Sequence, residues 1–320
     1  MLGLRIEETK LVLDQSISSA SNKPISGALT RIQCLASPIN PSDLNRVQGT
    51  YPVPEGTGSV GGGEGVGRVL WSQGSKLKAG DIVVPCSGGL GWWRSEFECG
   101  DEDVVCMRKG LSIPTLSMML INPLTALLML RQAELKSDDW LIQSGANSAV
   151  GRLVIQMAKQ MGLKSVAVVR DEQGLSEELK ALGADLVLNE DNLNSRPSIN
   201  AKLAFDCVAG STTANLVRHL QPGSTVLIYG GMSRKPVLMP VKELIFRDIR
   251  VQGFWLTKIL SGMSYEEKRD LLYEVETMFE KGILKEFEVK TYSLEDYQQA
   301  MMDSSEGRIK NKKLVFLIDK

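Results

Sequence analysis

The chain has 320 residues, 43% of them apolar, with 37 basic and 38 acidic side chains and a formal net charge of −1. That length suits about two domains with a sizeable core. The even charge leaves no basic footprint for nucleic acid or anionic membrane, and the apolar runs fall short of the roughly 20 residues a spanning helix needs.

Met1 to Lys10 is mixed in character and carries two acids, unlike a signal peptide, and no Arg-rich transit segment is visible. Up to about residue 115 the chain is rich in Gly, Pro and short apolar runs. Ala28–Ala36, Gly65–Trp71 and Asp81–Pro85 read as strands, with Lys78-Ala-Gly-Asp81 as a turn. This predicts a compact β-rich domain. From Asn122 the texture changes to apolar strands alternating with amphipathic helices. Strands are expected at Trp140–Ser144, Ser165–Val169, Asp185–Leu188, Ala201–Val208, Ser224–Tyr229 and Ile249–Phe254. Helices are expected at Val150–Met161 and Leu175–Leu182. The alternation predicts a doubly wound parallel sheet covered on both faces. A long helix from Tyr265 to Lys281 and a strand near Leu314–Ile318 follow, and this tail is expected to return to the first domain. The divisions are thus 1–121, 122–257 and 258–320.

Cys34, Cys86, Cys99, Cys106 and Cys207 are scattered, without a CxxC pair, and read as reduced thiols rather than a disulfide or zinc framework. His219 is the only histidine, so no His-rich metal site or Ser-His-Asp arrangement can be built without it. The pattern around it, Leu216-Val-Arg-His-Leu220, suggests a surface or boundary position.

The loop Gln143-Ser-Gly-Ala-Asn-Ser-Ala-Val-Gly151 joins the first strand and first helix of the parallel sheet. Small residues there let backbone amides and a helix N-terminus approach a pyrophosphate. Against GxGxxG only Gly151 is retained, so a plain tight turn stays open, and the strand–loop–helix context favours a dinucleotide site. After the second strand, Arg170 can pair a ribose 2′-phosphate, which favours NADPH. Asp171 follows at once and leaves NAD open. Asp206 reads as a satisfied strand-end carboxylate, Ser117–Ile121 and Leu127–Leu130 as core rather than an acyl tunnel, and Trp92-Trp93 equally as core or as the wall of an acyl slot.

Ser37-Pro-Ile-Asn-Pro-Ser-Asp-Leu-Asn45, Gln48-Gly-Thr-Tyr51-Pro, Gly61-Gly-Gly-Glu64-Gly-Val-Gly67, Tyr229-Gly-Gly-Met232 and Gly253-Phe-Trp-Leu256 carry a resemblance. The chain is similar over nearly its whole length to the mitochondrial trans-2-enoyl-thioester reductases, a zinc-free branch of the medium-chain dehydrogenase/reductase superfamily. The resemblance implies a Rossmann α/β domain beside a β-rich GroES-like barrel. It implies NADPH as cofactor, an enoyl-CoA or enoyl-acyl carrier protein as substrate, a mitochondrial setting and a homodimer. Carried over by position, the NADPH contacts are Asn122, Asn147, Ser148, Ala149, Val150, Arg170, Asp171, Glu172, Tyr229, Gly230, Gly231, Met232, Phe254, Trp255, Leu256 and Lys312. Glu172 stands where the family's 2′-phosphate trio usually ends in a second Arg, Ala149 replaces a Gly, and Lys313 is one register step from Lys312. Asn40-Pro-Ser-Asp43 and Gly61-Gly-Gly-Glu64 occupy the places of the zinc branch's Cys and His elements, implying a metal-free enzyme.

Reducing an enoyl thioester needs a hydride at the β-carbon, stabilisation of the enolate oxygen and a proton for the α-carbon. The resemblance implies Tyr51 as the acid, since a phenol keeps its proton at neutral pH. An ordinary turn tyrosine is the alternative at that position. A quinone reductase of the same fold would need no such group, and a non-catalytic NADPH-binding regulatory protein is the reading from another class.

Overall fold

A computed structural model describes residues 1–20, 22, 24–53, 58–108, 110–307, 309 and 311–318. The chain divides into two units, Met1–Leu124 with Thr257–Lys320, and Thr125–Leu256. In chain order the first unit begins with β1 (Gly3–Glu7) and β2 (Lys10–Asp14), an antiparallel hairpin. Then come β3 (Leu29–Pro38), α1 (Pro41–Val47), β4 (Val66–Ser72), β5 (Ile82–Pro85), β6 (Glu96–Gly100), β7 (Val104–Cys106), α2 (Ile113–Leu116) and the start of α3 (Ile121–Leu130), which belongs to the second unit from Thr125 on.

The second unit carries β8 (Trp140–Gln143), α4 (Ala149–Gln160), β9 (Lys164–Val169), α5 (Glu172–Leu182), β10 (Leu186–Asn189), β11 (Ala201–Asp206), α6 (Ser211–Val217), β12 (Leu220–Ile228), α7 (Val241–Arg247) and β13 (Arg250–Gly253). The chain then returns to the first unit with α8 (Leu256–Ser261), α9 (Tyr265–Glu280), β14 (Val289–Tyr292), α10 (Tyr297–Ser305) and β15 (Lys313–Leu317).

The first unit is built on a seven-stranded sheet, whose order is β14-β15-β3-β4-β5-β7 with β6 beside β3. Its core includes two indoles. Trp92 and Trp93 are fully buried, each meeting a phenylalanine edge-on: Trp92 on Phe97 at 5.1 Å and Trp93 on Phe316 at 5.4 Å. The glycines of 61–67 make room for them. A Cβ on Gly61 would stand 2.3 Å from Trp93 Cε3, and one on Gly65 would stand 2.7 Å from Trp92 Cδ2. Both tryptophans are therefore packing residues, which decides the reading left even from the sequence. Met118, Met119 and Leu120 are buried as well, as are Leu127–Leu130 of the second unit.

The second unit is a six-stranded parallel sheet of order β10-β9-β8-β11-β12-β13. This doubly wound order places a topological switch between β8 and β11, with loops opening at the strands' C-terminal ends. Ile142, Val166, Val168, Ala204 and Val226 form its dry interior with Leu216 and Leu220. No helix among the described residues is long and apolar enough to cross a membrane.

His219 departs from its expected place at the surface. It is 2% exposed, because the turn after α6 folds it inward, where Nε2 donates to the Leu193 carbonyl at 3.1 Å and Nδ1 is buried without a hydrogen-bond partner among the described residues. The helical pattern of 216–220 does not extend past Val217, so helical spacing could not tell which way the ring faces. Burial, reinforced by Arg218, holds the imidazole below its ordinary 6.5, against the pull of the Leu193 and Pro197 carbonyls. A depressed folded pKa gives stability that is present above about pH 6.5 and is lost as pH falls below it. The urea midpoint should therefore fall more steeply between about pH 7 and about pH 5 in the parent than in His219→Gln, whose amide can still donate to Leu193. Equal slopes would remove His219 from the acid response.

Candidate functional site

The loop from β8 to α4 is drawn tight by its own small residues. Ser148 caps α4, its Oγ accepting the Gly151 N–H at 3.1 Å. A Cβ on Gly151 would lie 2.6 Å from the Ala146 carbonyl oxygen, so only glycine lets the helix approach the loop this closely. Gly145, at φ +54, faces Cys207, whose Sγ would lie 2.5 Å from an added Cβ. Behind the loop the Asp206 carboxylate, at the end of β11, accepts four hydrogen bonds. These come from Ser144 Oγ at 2.7 Å, Thr213 Oγ1 at 2.6 Å and the N–H groups of Val208 and Ala209 at 2.8 and 3.1 Å. The satisfied-carboxylate reading of Asp206 thus agrees with the structure, and the same bonds hold Ala209 at φ +65.

Asn147–Val150, Arg170–Glu172, Tyr229–Met232 and Phe254 all follow the C-terminal ends of parallel strands. The Tyr229 hydroxyl is buried beside Cys207 and Ser148 and makes no hydrogen bond among the described residues. Burial pushes its pKa well above the ordinary value. Such an orphaned hydroxyl, next to a helix N-terminus and a cradle of small residues, fits the phosphate–ribose part of a dinucleotide. Phe254 is 8% exposed, Trp255 is 38% exposed, and Leu256 begins α8.

An open recess of about 370 Å³ is lined by Arg170, Asp171, Glu172, Gln173, Asn189 and Asn192. Its two acids are already engaged. Asp171 caps α5 through the Gly174 N–H at 3.0 Å, and Glu172 accepts the Asn189 N–H at 2.8 Å. Arg170 is exposed, and among the described residues no carboxylate pairs with its guanidinium.

Tyr51, Asn122 and Lys312 belong to the first unit. Tyr51 is half-buried on the turn after α1, its N–H on the Asn45 carbonyl at 3.2 Å. Lys312 is exposed and its Nζ lies 3.6 Å from Glu288. Lys313 is the residue brought to Asn122. As adjacent residues at the start of a strand, the two lysines face opposite sides, and Lys313 turns inward.

There its Nζ donates to Asn40 Oδ1 at 2.7 Å, and Asn122 Nδ2 donates to the same oxygen at 3.1 Å. Asn40 Nδ2 donates to Glu64 Oε1 at 2.8 Å, while Glu64 Oε2 accepts the N–H groups of Leu120 and Ile121 at 3.0 and 2.8 Å. Asp43 accepts the N–H groups of Asn40 and Gly63, at 2.9 and 2.8 Å. Burial pushes the Glu64 carboxyl up to about 7, against its hydrogen bonds and Lys313, and lowers the Lys313 pKa. The sequence places Asn40, Asp43 and Glu64 where the zinc branch has its Cys and His elements, but it does not predict that they bond to one another and to Lys313.

Residues 149–274 match the family described as zinc-binding dehydrogenase. Rattus norvegicus mitochondrial enoyl-[acyl-carrier-protein] reductase is 38% identical over 304 residues, spanning 91% of this chain and 82% of that protein. Among solved structures, the Etr1p/NADP/crotonyl-CoA complex superposes with a TM-score of 0.85 at 30% identity, covering 99% of both chains. The Etr1p/Etr2p heterodimer of mitochondrial 2-enoyl thioester reductase from Candida tropicalis has a TM-score of 0.86 at 30% identity, covering 99% of this chain and 100% of that one. The zinc of the family description has no fitting donor set at Asn40, Asp43 and Glu64. Their oxygens already accept N–H groups, and the cation among them is the Lys313 ammonium.

Proposed function

Because the chain belongs to the mitochondrial enoyl-[acyl-carrier-protein] reductase family, we propose that it reduces trans-2-enoyl thioesters, carried on CoA or acyl carrier protein, with NADPH, in the mitochondrion. The observation that carries this reading is the dinucleotide cradle of the second unit, with Arg170 on a recess whose acids are bonded to their own backbone. We assign that unit, with Asn122 of the discontinuous unit, to the cofactor, and Tyr51 of the discontinuous unit to the thioester. Asn147–Val150 and Tyr229–Met232 hold the pyrophosphate and its ribose, Arg170 holds the 2′-phosphate, and Phe254–Leu256 wall the pocket. Bound NADPH supplies the hydride. Tyr51 hydrogen-bonds the thioester oxygen as negative charge develops there and provides the proton for the α-carbon. A homodimer is part of the reading. β13 ends the parallel sheet as an edge strand, with Val251 41% exposed, and α7, which precedes it and packs on β12, exposes Ile245 at 66% and Phe246 at 81%. An edge of unpaired N–H and C=O groups pairs with its own copy across a two-fold axis, burying those apolar side chains.

Three measurements test the reading. Tyr51→Phe keeps the ring and loses the proton, so kcat for crotonyl-CoA should fall about 10²–10⁴-fold with NADPH binding nearly unchanged. A kcat within about threefold of the parent's would return Tyr51 to an ordinary turn residue and favour the quinone reductase, as would a parent that reduces naphthoquinone and not crotonyl-CoA; no turnover of either by the parent would favour a regulatory protein. Arg170→Ala should cost NADPH about 1.5–3 kcal/mol in kcat/KM and leave NADH little changed; equal use of both cofactors by the parent would sink that assignment. By sedimentation the parent should run as a dimer and Phe246→Asp as a monomer; a monomeric parent would rule out the pairing through β13.

A further inference from the structure

The donors and acceptors around Asn40 fix the orientation of two carboxamides. Lysine can only donate, so the Asn40 atom 2.7 Å from Lys313 Nζ must be its oxygen. Its amide nitrogen then faces Glu64 Oε1 at 2.8 Å, an acceptor that suits it. With Oδ1 of Asn40 facing Asn122, the Asn122 group at 3.1 Å must be the donor, Nδ2. Asn122 is 5% exposed in the first turn of α3, and no group among the described residues donates to its Oδ1. Lys313 on one end of the Asn40 amide and the Glu64 carboxylate on the other thus decide together which end of the Asn122 amide is left to meet a ligand.

We infer that Lys313 is a positioning residue that acts through Asn40 to present Asn122 Oδ1 as a hydrogen-bond acceptor to the cofactor. The inference rests on the NADPH reading above. It replaces the direct cofactor contact expected of Lys312 with a relay from Lys313. The matching cofactor chemistry is an N–H or O–H donor, such as the nicotinamide carboxamide or a ribose hydroxyl, and a phosphate oxygen would be repelled. Glu64 and Asp43 balance the buried ammonium. A methionine at 313 removes the donor to Asn40 Oδ1 and, with the ammonium gone, favours protonated Glu64; its Oε2 is held by two N–H groups, so the proton sits on Oε1 and turns the Asn40 amide over.

A double-mutant cycle on NADPH dissociation constants, read by cofactor fluorescence, tests this. Lys313→Met and Asn122→Ala should each weaken binding about tenfold, and the double variant also about tenfold, because the two act as one. Lys313→Arg, which keeps a donor for Asn40, should bind within about threefold of the parent. A double variant weakened about a hundredfold would show that Lys313 has its own contact and would overturn the inference, as would unchanged binding in Lys313→Met. If Lys313→Met does not fold, the cycle is run on Lys313→Met/Glu64→Gln, where ammonium and carboxylate leave together. A parent that binds NADPH but reduces no enoyl thioester would overturn the proposed activity and still leave the cycle readable.

Discussion

The first unit depends on one buried carboxylate. Glu64 is 1% exposed, and its oxygens hold the Asn40 amide and the first N–H groups of α3. Through Asn40 it reaches β15 at Lys313, and Asp43 ties the glycine loop to α1. Two acids and one ammonium in a dry place would each cost several kcal/mol alone, and removing one partner from such a pair typically costs about 3–5 kcal/mol. The set is tolerable because nearly every oxygen has a donor and the charges oppose one another. Segments far apart in sequence are thereby fixed at a single point.

The second unit solves a similar problem without a counter-charge. Asp206 is 0% exposed, and its four donors are two hydroxyls and two backbone N–H groups. They lock the cradle at Ser144 to the loop that carries Ala209 in a left-handed conformation. The difference follows from position. Asp206 sits at the ends of parallel strands, where N–H groups of the next loop converge, whereas Glu64 lies beside antiparallel strands whose amides are mostly paired with one another.

The parallel sheet was legible because its strands are short continuous apolar runs, and burial on both faces requires that composition. The β1–β2 hairpin was not, since its turn places Glu8 at φ +53 where glycine or asparagine would have signalled it. Glycines 61–67 stood out, but their purpose did not: the indoles they accommodate come from residues about thirty positions later in the chain. The choice between Lys312 and Lys313 turns on strand phase, and a one-residue slip exchanges the two faces. His219 was misplaced for a related reason, because it lies just past the helix whose spacing was used to orient it. Most of the cofactor cradle could be located by position along the sheet, whereas the bonds that join Glu64, Asn40 and Lys313 could be found only in three dimensions.

The discontinuity of the first unit bears on how the protein is made. Val315 pairs with Pro38, and Lys313 meets Asn40, only after the whole of 125–256 has been synthesised. During translation the second unit is a continuous stretch with its strand partners nearby in sequence, so it can form while the first is still missing its last strand. Until β15 leaves the ribosome, Glu64 and Asp43 have no ammonium beside them and every reason to stay hydrated. Closure of the first sheet and arrival of its buried cation are then a single late event, which commits the N-terminal strands to their final partners.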